Sequence, residues 1–212
     1  MADKVNRRRF LGHATAIGGA MGLVGARAGE PIAVQPDGLQ PIGQAKGIHP
    51  GRVVWVHDPR ATPWEGPGNG YWFQPEHTRQ DRVDGMMSRA VCELAGQSTV
   101  REAWNELFRH LNRQRGRGDA GYQPGEKIAI KPNLVGMIWH EGSVDPETYK
   151  LIKRQDYMNT APQMIIALLR QLVEAAGVRP ADITICDTLA YLVQEYYEML
   201  HGEFPQVQYA DH

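Results

Sequence analysis

The sequence predicts an α/β fold: an open, mostly parallel sheet with flanking helices, built from Rossmann-like βαβ units. Two observations predict it. From Lys127 onward, apolar runs of strand character and runs of helical periodicity alternate as strand, helix, strand, helix, strand, the order of parallel units joined by right-handed crossovers. The predicted helices also carry their own start and stop residues, so the alternation is punctuated where a βαβ chain needs it.

Taken in order, residues 1–28 stand apart from the rest. Asn6-Arg7-Arg8-Arg9-Phe10-Leu11 resembles the twin-arginine export pattern of a polar residue, two arginines, any residue and Phe-Leu. An uncharged, Gly- and Ala-rich stretch from His13 to Val24 follows, then Ala26-Arg27-Ala28, a small-x-small site for signal peptidase. The stretch is too short to span a bilayer and too glycine-rich for a core helix. The expectation is a protein delivered by the twin-arginine translocase to the periplasm, cleaved after Ala28, and without a membrane span once mature. That route carries folded passengers, many with a metal or redox cofactor, which points toward a bound cofactor.

Residues 29–51 are rich in Pro, Gly and Gln without periodicity and read as a linker or wrapped arm. The α/β domain is placed at 52–212. Arg52-Val-Val-Trp-Val56 reads as its first strand, ending in His57-Asp58. The loop after it holds Trp64, Tyr71, Trp72 and Phe73 among glycines and prolines. These aromatics are expected to plug a core edge rather than line a pocket.

A helix is predicted over 78–94, stopped by Gly96, with Val83, Met86, Met87, Ala90, Val91 and Leu94 on its inner face. A second begins at Thr99, where Thr99 and Glu102 make a capping box, and buries Ala103, Trp104, Leu107, Phe108 and Leu111. Lys127 to Leu134 is a strand ended by Pro132, which lacks the N–H a ladder needs. Residues 136–158 are irregular, with a helical turn near Glu147. A strong helix starts at Thr160, with Gln163 as the second half of a capping box, Met164, Ile165, Leu168, Leu169, Leu172, Val173 and Ala176 inward, and Gly177 as stop. Asp182 to Cys186 is a strand, 190–200 a helix and Val207 to Tyr209 a last strand. The chain stops at Asp211-His212 directly after it, so the domain reads as the N-terminal part of a longer one.

The formal charge of the whole chain is −1. Five of its basic residues (Lys4, Arg7, Arg8, Arg9, Arg27) and one acid (Asp3) fall in the signal, so the remainder is more acidic. Such a domain is a poor nucleic-acid binder. The single basic cluster, Arg109, Arg113, Arg115 and Arg117, reads as a solvated helix end. Cys92 and Cys186 each fall among apolar positions and read as core residues. Two isolated cysteines make no metal-binding motif, so the chain itself supports no iron–sulfur or CxxC-type site.

Ligands of open parallel sheets bind beyond the carboxyl ends of the strands. That rule selects His57 and Asp58, Lys131 and Asn133, Asp187 and Thr188, and Asp211 and His212. Lys131 supplies a positive charge. Asn133 and Thr188 supply neutral hydrogen-bonding groups, and the helix starting at Thr160 offers N–H groups suited to a phosphate or carboxylate. Lys131 and Asp187 are the candidate catalytic pair; Asn133, Thr160 and Thr188 the candidate cofactor contacts; His57 and Asp58 candidate metal ligands. Each has a plainer reading: Lys131 reaching solvent, Asp187 capping the next helix, Asn133 fixing a turn, His57 and Asp58 sharing a loop hydrogen bond. No GxGxxG, P-loop or GxSxG motif follows any strand.

The segments KIAIKPNL (127–134), NTAPQMIIALLRQLVEAAG (159–177) and DITICDT (182–188), with HPGRV at 49–53 and the twin-arginine signal, resemble the family known as domain of unknown function 362. The resemblance spans residues 47–212. It implies a longer chain and, from relatives with attached ferredoxin-like segments, electron transfer in part of the family. Two functions therefore stand side by side: an exported cofactor- or metal-dependent enzyme, and a non-catalytic binding protein for a small anionic ligand.

Overall fold

The computed structural model describes residues 43–137, 142–152 and 159–210. The chain divides into two units, Met1–Gln44 and Ala45–His212, and the secondary structure described below belongs to the second. The export signal with its cleavage site, and Asp211 and His212, lie outside the described residues.

The fold mixes helices with a small parallel sheet. Helices α1 (Gln80–Ala95) and α2 (Val100–Gln114) precede strand β1 (Ile128–Ile130). Helix α3 (Pro162–Arg170) leads to β2 (Ile183–Cys186), and α4 (Gln194–Glu203) to β3 (Gln208–Ala210). The sheet order is β1-β2-β3 and both pairings are parallel. Ile128, Ala129 and Ile130 stand opposite Ile183, Thr184 and Ile185, while Thr184, Ile185 and Cys186 stand opposite Gln208, Tyr209 and Ala210. The expected strand, helix, strand, helix, strand order from Lys127 is thus present.

Burial explains the order. Ile183 and Ile185 of the central strand are fully buried between neighbours on both sides. They pack with Ile165, Leu169 and Leu172 of the α3 region, Leu200 and Phe204 of α4, and Val178 and Val207. Burial alternates along β2: Ile183 and Ile185 are buried on one face, while Thr184 and Cys186 on the other are half-buried. A second cluster gathers Phe73, Leu134, Met137, Val144, Val193 and Tyr196, beneath the irregular segments. Phe73 is buried, stacks with Tyr71 and meets Trp72 and Tyr196 edge-on. Tyr71, Trp72 and Phe73 therefore plug this core; Trp64, expected with them, is not part of the cluster.

The helix ends follow their local chemistry. Thr99 accepts from the Glu102 N–H at 3.2 Å and donates to the Glu102 carboxylate at 2.8 Å, the expected capping box. Gly96 closes α1 at φ 68°, a left-handed conformation that suits glycine. Helix α3 runs on through a π-helical turn at Gln171–Ala175. That turn carries the buried Gln171, which accepts from the Trp104 indole at 2.9 Å and donates to Ser88 at 3.1 Å, linking α3 to α2 and α1. The arginines at the end of α2 lie in a salt-bridged surface: Arg109 and Arg113 face Asp119, Arg113 also Glu106, and Arg117 Glu126.

Several expectations are corrected. Arg52 to Val56, expected as the first strand, forms no strand and pairs with none among the described residues, and Val53 and Trp55 stand exposed; its strand-like composition lacks a neighbouring edge. Helix α3 begins at Pro162, with no side-chain cap at Ala161, because the Thr160 hydroxyl accepts from Asn133 instead and Gln163 turns inward to the Phe73 carbonyl. The helix expected from Ala190 starts only at Gln194, since Ala190 and Tyr191 sink into the second core cluster. Leu94, Leu111 and Met164 lie at the surface edges of their apolar stripes, not within them. Cys92 and Cys186 are unpaired and half-buried. The turn near Glu147 is built on Asp145, whose carboxylate accepts from the N–H groups of Glu147 and Thr148.

Candidate functional site

Beyond the carboxyl ends of β1 and β2, two of the predicted residues meet. The Lys131 ammonium lies 3.0 Å from Oδ2 of Asp187, and it also donates to the Pro132 carbonyl at 3.0 Å. The meeting follows from the parallel register. Ile130 stands opposite Ile185, so the residues just past each strand come side by side. Asp187 is buried, its side chain only 5% exposed, whereas that of Lys131 is 59% exposed. The pair is a sunken carboxylate with a cation standing over it.

Asp187 is held on every side. Its Oδ2 also accepts from the Leu134 N–H at 3.3 Å, and its Oδ1 from the Leu189 N–H at 3.1 Å. Burial alone would favour the neutral acid. The Lys131 hydrogen bond, the two backbone donors and the Lys131 charge outweigh it, and the carboxyl titrates below its ordinary value. A carboxylate so committed is an anchor that positions Lys131 and ties two loops, and its lone pairs are poorly placed for taking a substrate proton. It caps no helix: α4 begins only at Gln194.

Asn133 and Thr160 are also brought together. The Asn133 N–H donates to the Thr160 hydroxyl at 2.9 Å, and the Thr160 N–H to the Asn133 carbonyl at 2.7 Å. These two hydrogen bonds fasten the loop after β1 to the residues that open α3, so Lys131 and the amino end of α3 share one edge of the molecule. Thr188 is exposed beside Asp187.

Sequence reasoning missed two polar groups at this edge. Asn159 accepts from the Gly136 N–H at 2.9 Å, but its side-chain nitrogen is buried with no acceptor among the described residues. Gln163 is 1% exposed and its amide oxygen has no donor among the described residues. Neither stands out in the sequence, because an Asn or Gln in a loop or first turn is ordinary; only burial makes it costly.

His57 and Asp58 lie elsewhere. His57 is exposed and stacks on Trp55 at 5.5 Å, and Asp58 is taken by Arg60 at 3.2 Å and Arg82 at 3.7 Å. Those guanidiniums hold the Asp58 carboxyl below its ordinary value, mainly through the Arg60 side-chain hydrogen bond. Among the described residues, no three His, Cys, Asp or Glu side chains converge as metal ligands. No described helix is long and apolar enough to cross a membrane.

A second buried aspartate sits at the opposite end of β2. Asp182 accepts from Tyr122, the Gly125 N–H, Lys127 and Arg179, at 2.7–2.9 Å. These donors, Arg179 first, hold it far below the carboxylate range. It seals the amino end of the sheet.

A concavity of about 1110 Å³ lies apart from Lys131 and Asp187. It is a groove between Arg52–His57 and the end of α1, lined by Trp55, Arg89, Cys92 and Glu93. Chemistry rather than volume singles out the strand-end site. Comparison with protein-family models, curated proteins and solved structures returns no match to the chain.

Proposed function

We propose that this is an exported protein that binds a small anionic ligand at the carboxyl end of its sheet. The observation that carries the reading is the Lys131 ammonium, exposed to solvent yet held in place by buried Asp187. An ammonium fixed by a buried counter-ion is preorganised, so an anion does not have to order a flexible lysine. The paired Asn133–Thr160 backbone and hydroxyl hydrogen bonds hold the loop that carries Lys131 against the opening of α3. The three strands then form part of an open, Rossmann-like sheet, for which this edge is the usual place of binding.

Export rests on Arg7, Arg8, Phe10 and Leu11 with the Ala26-Arg27-Ala28 site. It places the protein in the periplasm through the twin-arginine translocase and signal peptidase. The reading as a cofactor- or metal-dependent enzyme rests on that route and on the family resemblance, and no described side-chain arrangement favours it over anion binding.

Isothermal titration with phosphate, sulfate and short carboxylates tests the site. Saturable binding that is lost in Lys131→Ala, with the fold intact by circular dichroism, supports it. Binding of equal strength in Lys131→Ala removes it. Export is tested separately by replacing Arg7 and Arg8 with Lys, which should leave an unprocessed chain in the cytoplasm.

A further inference from the structure

An ammonium carries three N–H donors. Lys131 spends one on Asp187 and one on the Pro132 carbonyl, and no acceptor for the third lies among the described residues. The cation is thus held by its counter-ion without being used up by it.

Two exposed apolar residues share the Asp187 carboxylate with it. Exposure alternates along the chain that leaves β1: Lys131, Asn133 and Val135 are exposed, while Pro132 and Leu134 are buried. Val135 therefore stands on the outward side with the ammonium, next to Leu134, whose N–H donates to the same Asp187 oxygen as Lys131 does. It is 42% exposed although Leu134 and Met137 are fully buried. From the β2 side, Leu189 donates its N–H to the other oxygen of Asp187, so its backbone lies one carboxylate's width from the Lys131 contact. Leu189 is 65% exposed, whereas Ala190 and Tyr191 beside it sink into the core. Single exposed apolar residues are ordinary on a protein surface. Here two of them are tied to one carboxylate whose cation retains a donor.

We propose that the ligand of this edge is a monocarboxylate with a short aliphatic chain. Its carboxylate takes the remaining Lys131 donor, and its chain lies over Leu189 and Val135. The proposal rests on the anion-binding reading above and narrows it. Asp187 already sets one negative charge against the positive charge of Lys131. A doubly charged anion would add repulsion that nothing beside it offsets, so a singly charged ligand is favoured. With one donor to gain, much of the affinity has to come from apolar contact, which inorganic anions lack.

The test uses the full chain, titrated with acetate, butyrate, hexanoate and phosphate and followed by the amide resonances of Val135 and Leu189. Binding should tighten along the carboxylate series, by about tenfold from acetate to hexanoate, the gain expected when the added methylenes are half covered. Phosphate should bind no more tightly than acetate, and Lys131→Ala should abolish binding of all four. Leu189→Ser and Val135→Ser, both at exposed positions, should each narrow the hexanoate-to-acetate ratio to about threefold. Acetate and hexanoate binding alike, both lost in Lys131→Ala, overturns the aliphatic ligand and leaves the anion site standing. So does phosphate binding more tightly than hexanoate, or a ratio unmoved in both serine variants. An absence of Lys131-dependent binding by any probe removes the anion site and this proposal with it.

Discussion

Asp182 and Asp187 bracket the central strand, one buried carboxylate at each end, and both are satisfied by donors from neighbouring segments. At the amino end the donors are mostly side chains that lock a turn. At the carboxyl end they are two backbone N–H groups and one exposed lysine. Both ends leave exposed cations over a buried carboxylate, Lys127 and Arg179 at the amino end and Lys131 at the carboxyl end; of these, Lys131 is the one that stands beyond the carboxyl ends of the strands.

Lys131→Ala and Asp187→Ala should differ sharply. Because Lys131 is more than half exposed, removing it should cost only about 0.5–1 kcal/mol of stability, while abolishing anion binding. Asp187→Ala strands the buried Leu134 N–H and the Leu189 N–H together, and should cost about 2–3 kcal/mol. Urea denaturation of the two variants checks this. Equal losses would mean that the lysine is a structural partner rather than a displayed one.

Acid should weaken the fold through these two aspartates. Both titrate below their ordinary value in the folded protein, so the unfolded chain takes up protons at higher pH. Their contribution is complete above the unfolded value of about 4 and is lost as pH falls below it. The urea midpoint of the wild type should therefore drop steeply from pH 5 toward pH 3. Asp182→Asn should be less stable than wild type at pH 7 and lose less on acidification, so that the two curves converge. Curves that stay parallel would show that Asp182 is not the group responsible.

The periodic parts of this fold could be read from the sequence, and the parts decided by distant partners could not. The order from Lys127 to Tyr209 was legible because β1 and β2 repeat apolar residues at strand period, Ile128 with Ile130 and Ile183 with Ile185, and because α3 repeats its core residues at helical spacing. The Thr99 box was legible because both partners lie within four residues. Thr160 shows the same local pattern and fails it, because Asn133, 27 residues away, competes for its hydroxyl and Phe73, 90 residues from Gln163, draws that side chain off. Arg52 to Val56 has strand composition, but pairing needs an edge that composition does not report. At the site, Lys131 and Asp187 were found by the strand-end rule. Asn159 and Gln163 were not, since being buried without a partner is a property of the packed molecule.

Arg170 ties three helices at the surface. Its guanidinium contacts Asp84 of α1 at 2.5 Å and Glu203 of α4 at 2.5 Å, and both carboxylates help raise its already high pKa, Glu203 most. With about a third of each side chain exposed, Arg170→Met should cost about 1 kcal/mol. That cost should shrink as salt is raised, because screening weakens the wild-type bridges. Thermal unfolding at low and high ionic strength measures it. A salt-independent loss would assign the effect to packing of the aliphatic stem.

The core beneath the aromatic loop supports a pair of predictions of opposite sign. Tyr196 is fully buried against Phe73, and its hydroxyl has no hydrogen-bond partner among the described residues. Burial pushes its ionisation far above the usual phenol range. An orphan hydroxyl is a standing cost, so Tyr196→Phe should leave stability unchanged or raise it by about 1 kcal/mol. Phe73→Ala, by contrast, should cost about 3–5 kcal/mol, because it opens a cavity among Tyr71, Trp72 and Tyr196. It should also loosen the carboxyl edge, since the Phe73 carbonyl accepts the Gln163 amide at the start of α3 at 2.6 Å. Hydrogen exchange at the α3 amides, alongside denaturant unfolding of both variants, separates the two effects. Faster exchange there in Phe73→Ala, with none in Tyr196→Phe, is the expected result. A destabilised Tyr196→Phe would mean that the hydroxyl does have a partner in solution, and that this core is organised around that bond rather than around the Phe73 ring.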